Sequence, residues 1–169
     1  MLVVPEHRIP EVGARVRDLQ EPARKMSTTG GTEQGTVLVL DEPGVVERKF
    51  KRAVTDSGTE IVRSPDKPGI TNLIEILCVV RDIEPAAVEA EFEGSGYGDF
   101  KAAVGDAVVD FLAPVRERYA ELRQDPGELE RALGSGAEKA RALAGPVLAD
   151  VRAAMGVGPP SSVSVGRPA

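Results

Sequence analysis

Residues 23–35 read ARKMSTTGGTEQG, a short polar run in which one lysine, one serine, two threonines and a glycine pair follow each other closely. Such a set can handle phosphate. A bound phosphate needs a cation and hydrogen-bond donors arranged around its charge. Lys25 offers the point charge, while Ser27, Thr28, Thr29 and the surrounding amides offer donors. Gly30 and Gly31 leave the backbone free to move. The same composition also describes an ordinary solvated connector, and the loop alone does not separate the two. A second cationic set follows at Arg48, Lys49, Lys51 and Arg52, which crowd one stretch of a helix. They suit either phosphate contacts or a solvated face paired with Glu42 and Glu47.

Other residues with chemical potential read more plainly. His7, the sole histidine, stands in PEHRIP with neither a glycine nor a second histidine beside it, and is read as a turn or surface residue. Cys78, the only cysteine, falls on an apolar helical stripe and is read as inert packing. It rules out an intramolecular disulfide within these 169 residues and fits a reducing cytoplasm. Tyr97, inside GSGYG, would either stack on a base or pack its turn.

The elements that must position these residues are mostly helical. Val12, Ala14 and Val16 alternate in VGARVRDL and predict one strand. A strand or two makes no stable sheet, so residues 1–22 read as the remnant of a sheet whose other strands lie elsewhere. Residues 23–38 form the loop. From Asp41 onward the pattern is a helical bundle. Asp41 is expected to cap a helix with Pro43 in its first turn and Val46, Phe50 and Val54 as its apolar stripe. Thr71 is expected to cap the next, with Ile70, Leu73, Ile74, Leu77 and Cys78 on one face. A short helix starts near Pro85 and ends at GSGYG. A long one then runs through Phe100, Val104, Val108, Phe111, Leu112, Val115, Tyr119 and Leu122, with a kink expected at Pro114. Asp125 and Glu128 have capping-box spacing and open another short helix, and Ser135 with Glu138 repeats the device for a last one. The tail, 157–169, is rich in Gly, Pro and Ser and is expected to be disordered.

Composition narrows the class. Apolar residues make up 41% of the chain and aromatics only 4%, so the core must be built from Leu, Val, Ile and Ala. A formal charge of −6 argues against unspecific attraction to nucleic acid, though not against a local basic face. No apolar run approaches the ~20 residues of a membrane span, and MLVVPEHRIP has no signal-peptide pattern.

The stretch GARVRDLQEPARKMSTTGGTEQGTVLVLDEPGVVERKFKRAVTDS resembles the segment that joins catalytic core to helical domain in bacterial tryptophan–tRNA ligases, which are class I aminoacyl-tRNA synthetases. The residues that carry the likeness are Asp18-Leu19-Gln20-Glu21-Pro22, Lys25-Met26-Ser27, Leu40-Asp41-Glu42-Pro43 and Ala53-Val54-Thr55-Asp56-Ser57. KPGITNLIEIL and AEFEGSGYGDFKAAVGDAVVDFLAPVRERYAEL are similar to the family's later helices. The likeness runs in family order from about residue 2 to residue 155. It implies a mainly α fold, with a Rossmann-like core remnant in 1–22, a Lys-Met-Ser-Lys-Ser-like loop in 23–38 and a helical anticodon-binding domain in 39–156. It implies ATP as substrate, with accompanying Mg2+ and no protein-bound metal, and a cytoplasmic enzyme. Lys25 and Ser27 become the catalytic pair. Val16, through its backbone, joins Lys25, Met26, Ser27, Thr28 and Thr29 around ATP. Arg48, Lys49, Lys51 and Arg52 become the candidate contacts to tRNA(Trp).

The loop departs from the family signature where Thr28 replaces its second lysine and Thr29 its last serine. One charged hydrogen bond lost there is worth ~1.5–3 kcal/mol. The family's His-x-Gly-His signature and tryptophan pocket have no counterpart in these residues. The expectation is therefore the C-terminal portion of such a ligase, inactive alone and dependent on an N-terminal half or a homodimer partner. A non-catalytic tRNA-binding module and a truncated gene fragment stay open beside it. The expected patch at Val3, Val4, Val12 and Val16 would seek a partner.

Overall fold

A computed structural model describes residues 3–157. The chain divides into two compact units. One holds His7–Tyr119, and the other holds the described residues 3–6 with those from Ala120 on.

The larger unit carries the core and the loop. Its helices are α1 (Pro43–Lys51), α2 (Pro68–Arg81), α3 (Pro85–Glu91) and most of α4 (Tyr97–Leu122). Pro43, Pro68 and Pro85 each stand in the first turn of their helix, where the missing N–H would have had no intrahelical partner. Val46 and Phe50 of α1, Ile70, Leu73, Ile74 and Leu77 of α2, Val88 of α3, and Phe100 and Val104 of α4 are almost fully buried in one cluster. Phe92 and Phe100 meet edge to face with ring centroids 5.0 Å apart. Two glycines permit close approaches. A Cβ on Gly69 would run into the Val54 carbonyl, and one on Gly105 would lie 3.3 Å from the Phe50 Cβ. Cys78 is buried among these side chains, and burial raises its thiol above the ordinary value. Packing is its role here.

Several sequence expectations need correction. No strand forms among the described residues. Residues 11–15 are bends, and among the described residues the only ladder contact is an isolated antiparallel bridge between Arg17 and Lys25. Gly13 adopts a left-handed φ of 70°, which breaks the alternation that Val12 and Val16 suggest. The segment's hydrogen bonds go to loop and helix instead. The Arg17 amide donates to the Asn72 side chain at 2.8 Å, and the Asn72 amide donates back to the Arg17 carbonyl at 3.1 Å. Asp41 does not cap α1, whose N-cap is Glu42; Val54 lies beyond the helix and is exposed. Thr71 sits inside α2, which starts at Pro68, and its hydroxyl bonds the Ser64 backbone on both sides.

Helix α4 runs unbroken past Pro114, whose missing N–H frees the Asp110 carbonyl; the Val109 carbonyl beside it accepts from the Arg116 guanidinium at 2.9 Å. In the smaller unit, Asp125 does accept from the Glu128 amide at 3.0 Å, but α5 (Pro126–Met155) is one continuous helix through Ser135. A break there would strand a set of amides and carbonyls at each new end. Carrying one Ser and two Gly inside the helix costs about 1 kcal/mol or less per residue. No residue of α5 is buried. The expected disorder of the tail concerns residues of which 158–169 lie outside the described ones.

Candidate functional site

Three stretches converge on the loop in the larger unit: residues 16–21, residues 24–37 and the first turns of α1. The Met26 amide donates to the Val16 carbonyl at 3.0 Å, and the Asp18 amide to the Arg24 carbonyl at 3.0 Å. These bonds fold Lys-Met-Ser back along residues 16–18. Met26 packs against the core, and its Sδ lies 3.5 Å from the Val37 amide. Of its neighbours, Lys25 is exposed and Ser27 is half-buried.

Ser27 is the organising residue. Its hydroxyl accepts from the Gly30 amide at 3.2 Å and, more weakly, from the Thr29 amide at 3.4 Å. Its carbonyl accepts from the Gly31 amide and the Thr36 hydroxyl, each at 3.1 Å. The tight turn at 27–31 follows from these bonds. Gly31 is required by close approach, since a Cβ there would run into the Thr36 hydroxyl and the Ser27 carbonyl. Gly30 has room around it. Thr28 and Thr29 are exposed.

Lys25 is exposed, and no hydrogen bond or ion pair among the described residues occupies its ammonium. Arg24 beside it is tied down: it donates to the Glu21 carboxylate at 2.8 Å and to the Gly30 carbonyl at 3.4 Å. The hydrogen bond and charge of Glu21 raise its already high pKa. Thus one cation braces the loop from outside and the next stays available to a ligand. An available ammonium beside backbone amides and hydroxyls is an anion-binding arrangement.

A cleft of about 440 Å3 opens between the loop and the start of α1, with Ser27, Thr28 and Thr36 in its lining. It is a poor seat for phosphate: Glu33, Asp41 and Glu42 line it, its one lysine, Lys49, is already paired with Asp41, and Lys25 is not in its lining.

The second predicted set divides. Arg48, Lys51 and Arg52 are exposed, while Lys49 is buried with only 4% of its surface accessible. Its ammonium donates to the Thr36 carbonyl and to Asp41 Oδ2, both at 2.7 Å. Lys49 is therefore corrected from a surface contact to an internal one. Helical spacing contained the signal: position 49 falls three residues after Val46 and four before Ala53, on the buried stripe. Sequence reasoning also missed Thr36 and Asp18. Asp18 is buried, and its Oδ1 accepts from the amides of Gln20 at 2.8 Å and Glu21 at 3.1 Å. A polar residue opening the apolar run TVLVLD was the sign for Thr36.

Tyr97 packs its turn. Its hydroxyl donates to the Asp56 carboxylate at 2.9 Å. His7 is exposed. Among the described residues no group of three or more His, Cys, Asp or Glu is placed to hold a metal, and no helix is long and apolar enough to cross a membrane.

Comparison with known proteins places this arrangement. Residues 2–113 match the family model for tRNA synthetases class I (W and Y). Tryptophan–tRNA ligase 1 of Streptomyces coelicolor is 48% identical over 159 residues, which cover 94% of this chain and 47% of that protein. The tryptophan–tRNA ligase of Oceanobacillus iheyensis is 43% identical, over 94% of this chain and 48% of its own length. The crystal structure of tryptophanyl-tRNA synthetase from Mycoplasma pneumoniae superimposes with a TM-score of 0.77 at 28% identity, covering 88% of this chain and 45% of the other. The chain thus spans about half the length of the relatives it matches. With a family model matching most of its length and relatives that are named tryptophan–tRNA ligases, the chain belongs to the class I tRNA synthetases of the W and Y type.

Proposed function

We propose that this chain supplies the C-terminal portion of a tryptophan–tRNA ligase: the loop that grips the triphosphate of ATP and the helices that hold tRNA(Trp). One observation carries the reading. Lys25 stands exposed and unpaired beside a turn whose Ser27 is fixed by four hydrogen bonds, on the residues that align with a family named for this chemistry. In the forward reaction the tryptophan carboxylate attacks the α-phosphorus of ATP, and the bond to the departing pyrophosphate breaks. Negative charge then grows on the leaving oxygens. Lys25 would meet it as a mobile ammonium, with Thr28 and Thr29 supplying neutral donors. Mg2+ would arrive with ATP and shield the remaining phosphate charge. Val16, with its carbonyl engaged by Met26, would present backbone near the adenine.

Arg48, Lys51 and Arg52 are the remaining candidates for tRNA phosphates, on the exposed side of α1 and just after it. In this reading residues 1–22 continue a nucleotide-binding core, and residues 39–156 serve the anticodon arm. A cytoplasmic location follows from the same reading.

The reaction also needs a tryptophan pocket and groups that hold the other side of ATP, and positioning from both sides is a large part of the rate. The test is tryptophan-dependent ATP–pyrophosphate exchange. The chain alone is expected to give none. Together with a supplied N-terminal half it is expected to give exchange that Lys25→Met lowers about 100-fold, within the range for removing one donor to developing charge. Exchange by the chain alone, or full exchange with Lys25→Met, overturns the reading.

A further inference from the structure

We infer that Lys49 is a positioning residue for the loop, acting from inside helix α1 through Thr36 to Ser27. Its ammonium is buried and sits 2.7 Å from two oxygens, the Thr36 carbonyl and Asp41 Oδ2. Asp41 Oδ2 also accepts from the Leu38 amide at 2.9 Å, and the Asp41 amide donates to the Leu38 carbonyl at 3.0 Å. One lysine thus fixes both ends of the segment 36–41, the return leg of the loop. Thr36 passes the constraint on. Its hydroxyl donates to the Ser27 carbonyl at 3.1 Å, the same oxygen that accepts from the Gly31 amide. The order of contacts is α1, Lys49, Thr36, Ser27, and every link lies in the larger unit.

The charge matters as well as the shape. A buried ammonium keeps its place only when its donors are satisfied, and here the satisfying partners are both on the loop's return leg. A shift of α1 therefore moves the carbonyl of Ser27, and a shift of Ser27 is resisted by α1. Gly31 lets the contact close, since any side chain there would separate Thr36 from Ser27. The inference rests on the triphosphate reading of the loop only for its consequence in catalysis.

Amide hydrogen exchange on the 169-residue chain tests the positioning without ATP. Thr36→Val keeps the Lys49–Asp41 pair and removes only the hydroxyl. It is expected to speed exchange at the Gly31 amide about tenfold while Phe50 in α1 stays protected. Lys49→Met is expected to do the same at Gly31 and also at Leu38, and the double variant to be no faster at Gly31 than Lys49→Met. Should Lys49→Met lose α1, Lys49→Met with Asp41→Asn, which leaves no unpaired charge, replaces it. Unchanged Gly31 exchange in either variant with α1 intact overturns the inference, as does a double variant whose effects add. With the N-terminal half supplied, Thr36→Val is expected to lower kcat of pyrophosphate exchange about tenfold and to leave KM for tryptophan unchanged. Normal kcat beside faster Gly31 exchange overturns the catalytic consequence. Absence of exchange in the unsubstituted pair overturns the triphosphate reading and leaves the amide result standing.

Discussion

Asp56 shows how a single residue in a family-like block can be structural. Its Oδ1 accepts from the Gly58 amide at 2.7 Å and from the Tyr97 hydroxyl at 2.9 Å. Burial alone would raise its pKa; the Gly58 amide, the Tyr97 hydroxyl and the charge of Lys67 outweigh burial and hold it below the ordinary 3.8. Lys101 and Tyr97 of α4 and Lys67 before α2 are the titratable groups facing it. A carboxylate with a depressed folded value contributes stability that is fully present above its unfolded value and is lost as pH falls through the folded one. Urea unfolding of the parent chain and of Asp56→Asn should therefore differ most near neutral pH, with the gap closing as pH drops below 3.8. A gap of constant size from neutral to acid would show that the carboxylate's charge is not what the turn uses. At this scale the polar run at 23–35 was legible as a loop, with Lys25 and Thr28 in the open. The sequence was illegible where a polar side chain faces inward. Lys49 looked like one more cation in a basic run, and only its helical phase marked it as internal. Gly31 looked like a hinge, whereas the Thr36 hydroxyl and the Ser27 carbonyl leave no space for a Cβ.

Helix existence followed from periodicity, and helix ends did not. The stripe of α2 was readable because Ile70, Leu73, Ile74 and Leu77 repeat at helical spacing and all four are buried. Its start was misplaced because Pro68 opens the helix without a capping side chain, while Thr71, the better cap by type, is spent on Ser64. Strand prediction failed for a different reason. Alternation in VGARVRDL is necessary for a half-buried strand but not sufficient, since ladder partners must also exist. Here the Asn72 side chain and the Met26 amide take the hydrogen bonds instead. Helix α5 was divided by sequence at Ser135, where a cap-like pair falls in the middle of a helix-forming run. Gly136 lies inside that helix, and a side chain there would enter open space. Gly136→Ala should then add roughly 0.8–1 kcal/mol to helix stability through reduced backbone entropy. The measurement is the far-ultraviolet helical signal against temperature. A loss of signal on substitution would mean that Gly136 breaks the helix in solution and that the two-helix reading was right.

At the scale of the whole molecule the main fact is coverage. The chain corresponds to 47% of the length of a relative 48% identical to it, and its residues 3–10 carry apolar side chains in the open. Val3 and Val4 are each 89% exposed and Ile9 is 71% exposed. Val12, by contrast, is packed against the core, so the expected patch is smaller than the sequence suggested. No hydrogen-bonded ladder holds this segment among the described residues, and unpaired backbone with exposed valines is the kind of segment that pairs with another chain. Covering Val, Val and Ile is worth ~1.5–3 kcal/mol for each side chain fully buried. Under the proposed function, the surface that covers them is the nucleotide-binding half. Arg8 and Arg15, both exposed, give trypsin two sites to report on it. The chain alone should be cut at Arg8 quickly. Saturating amounts of the N-terminal half should slow that cut at least about tenfold, since a bound segment must leave its partner before a protease can hold it. Replacing Val3 and Val4 by serine should abolish most of the protection while leaving cleavage of the free chain unchanged. Equal rates with and without the added half would mean that residues 3–10 are not where the two halves meet.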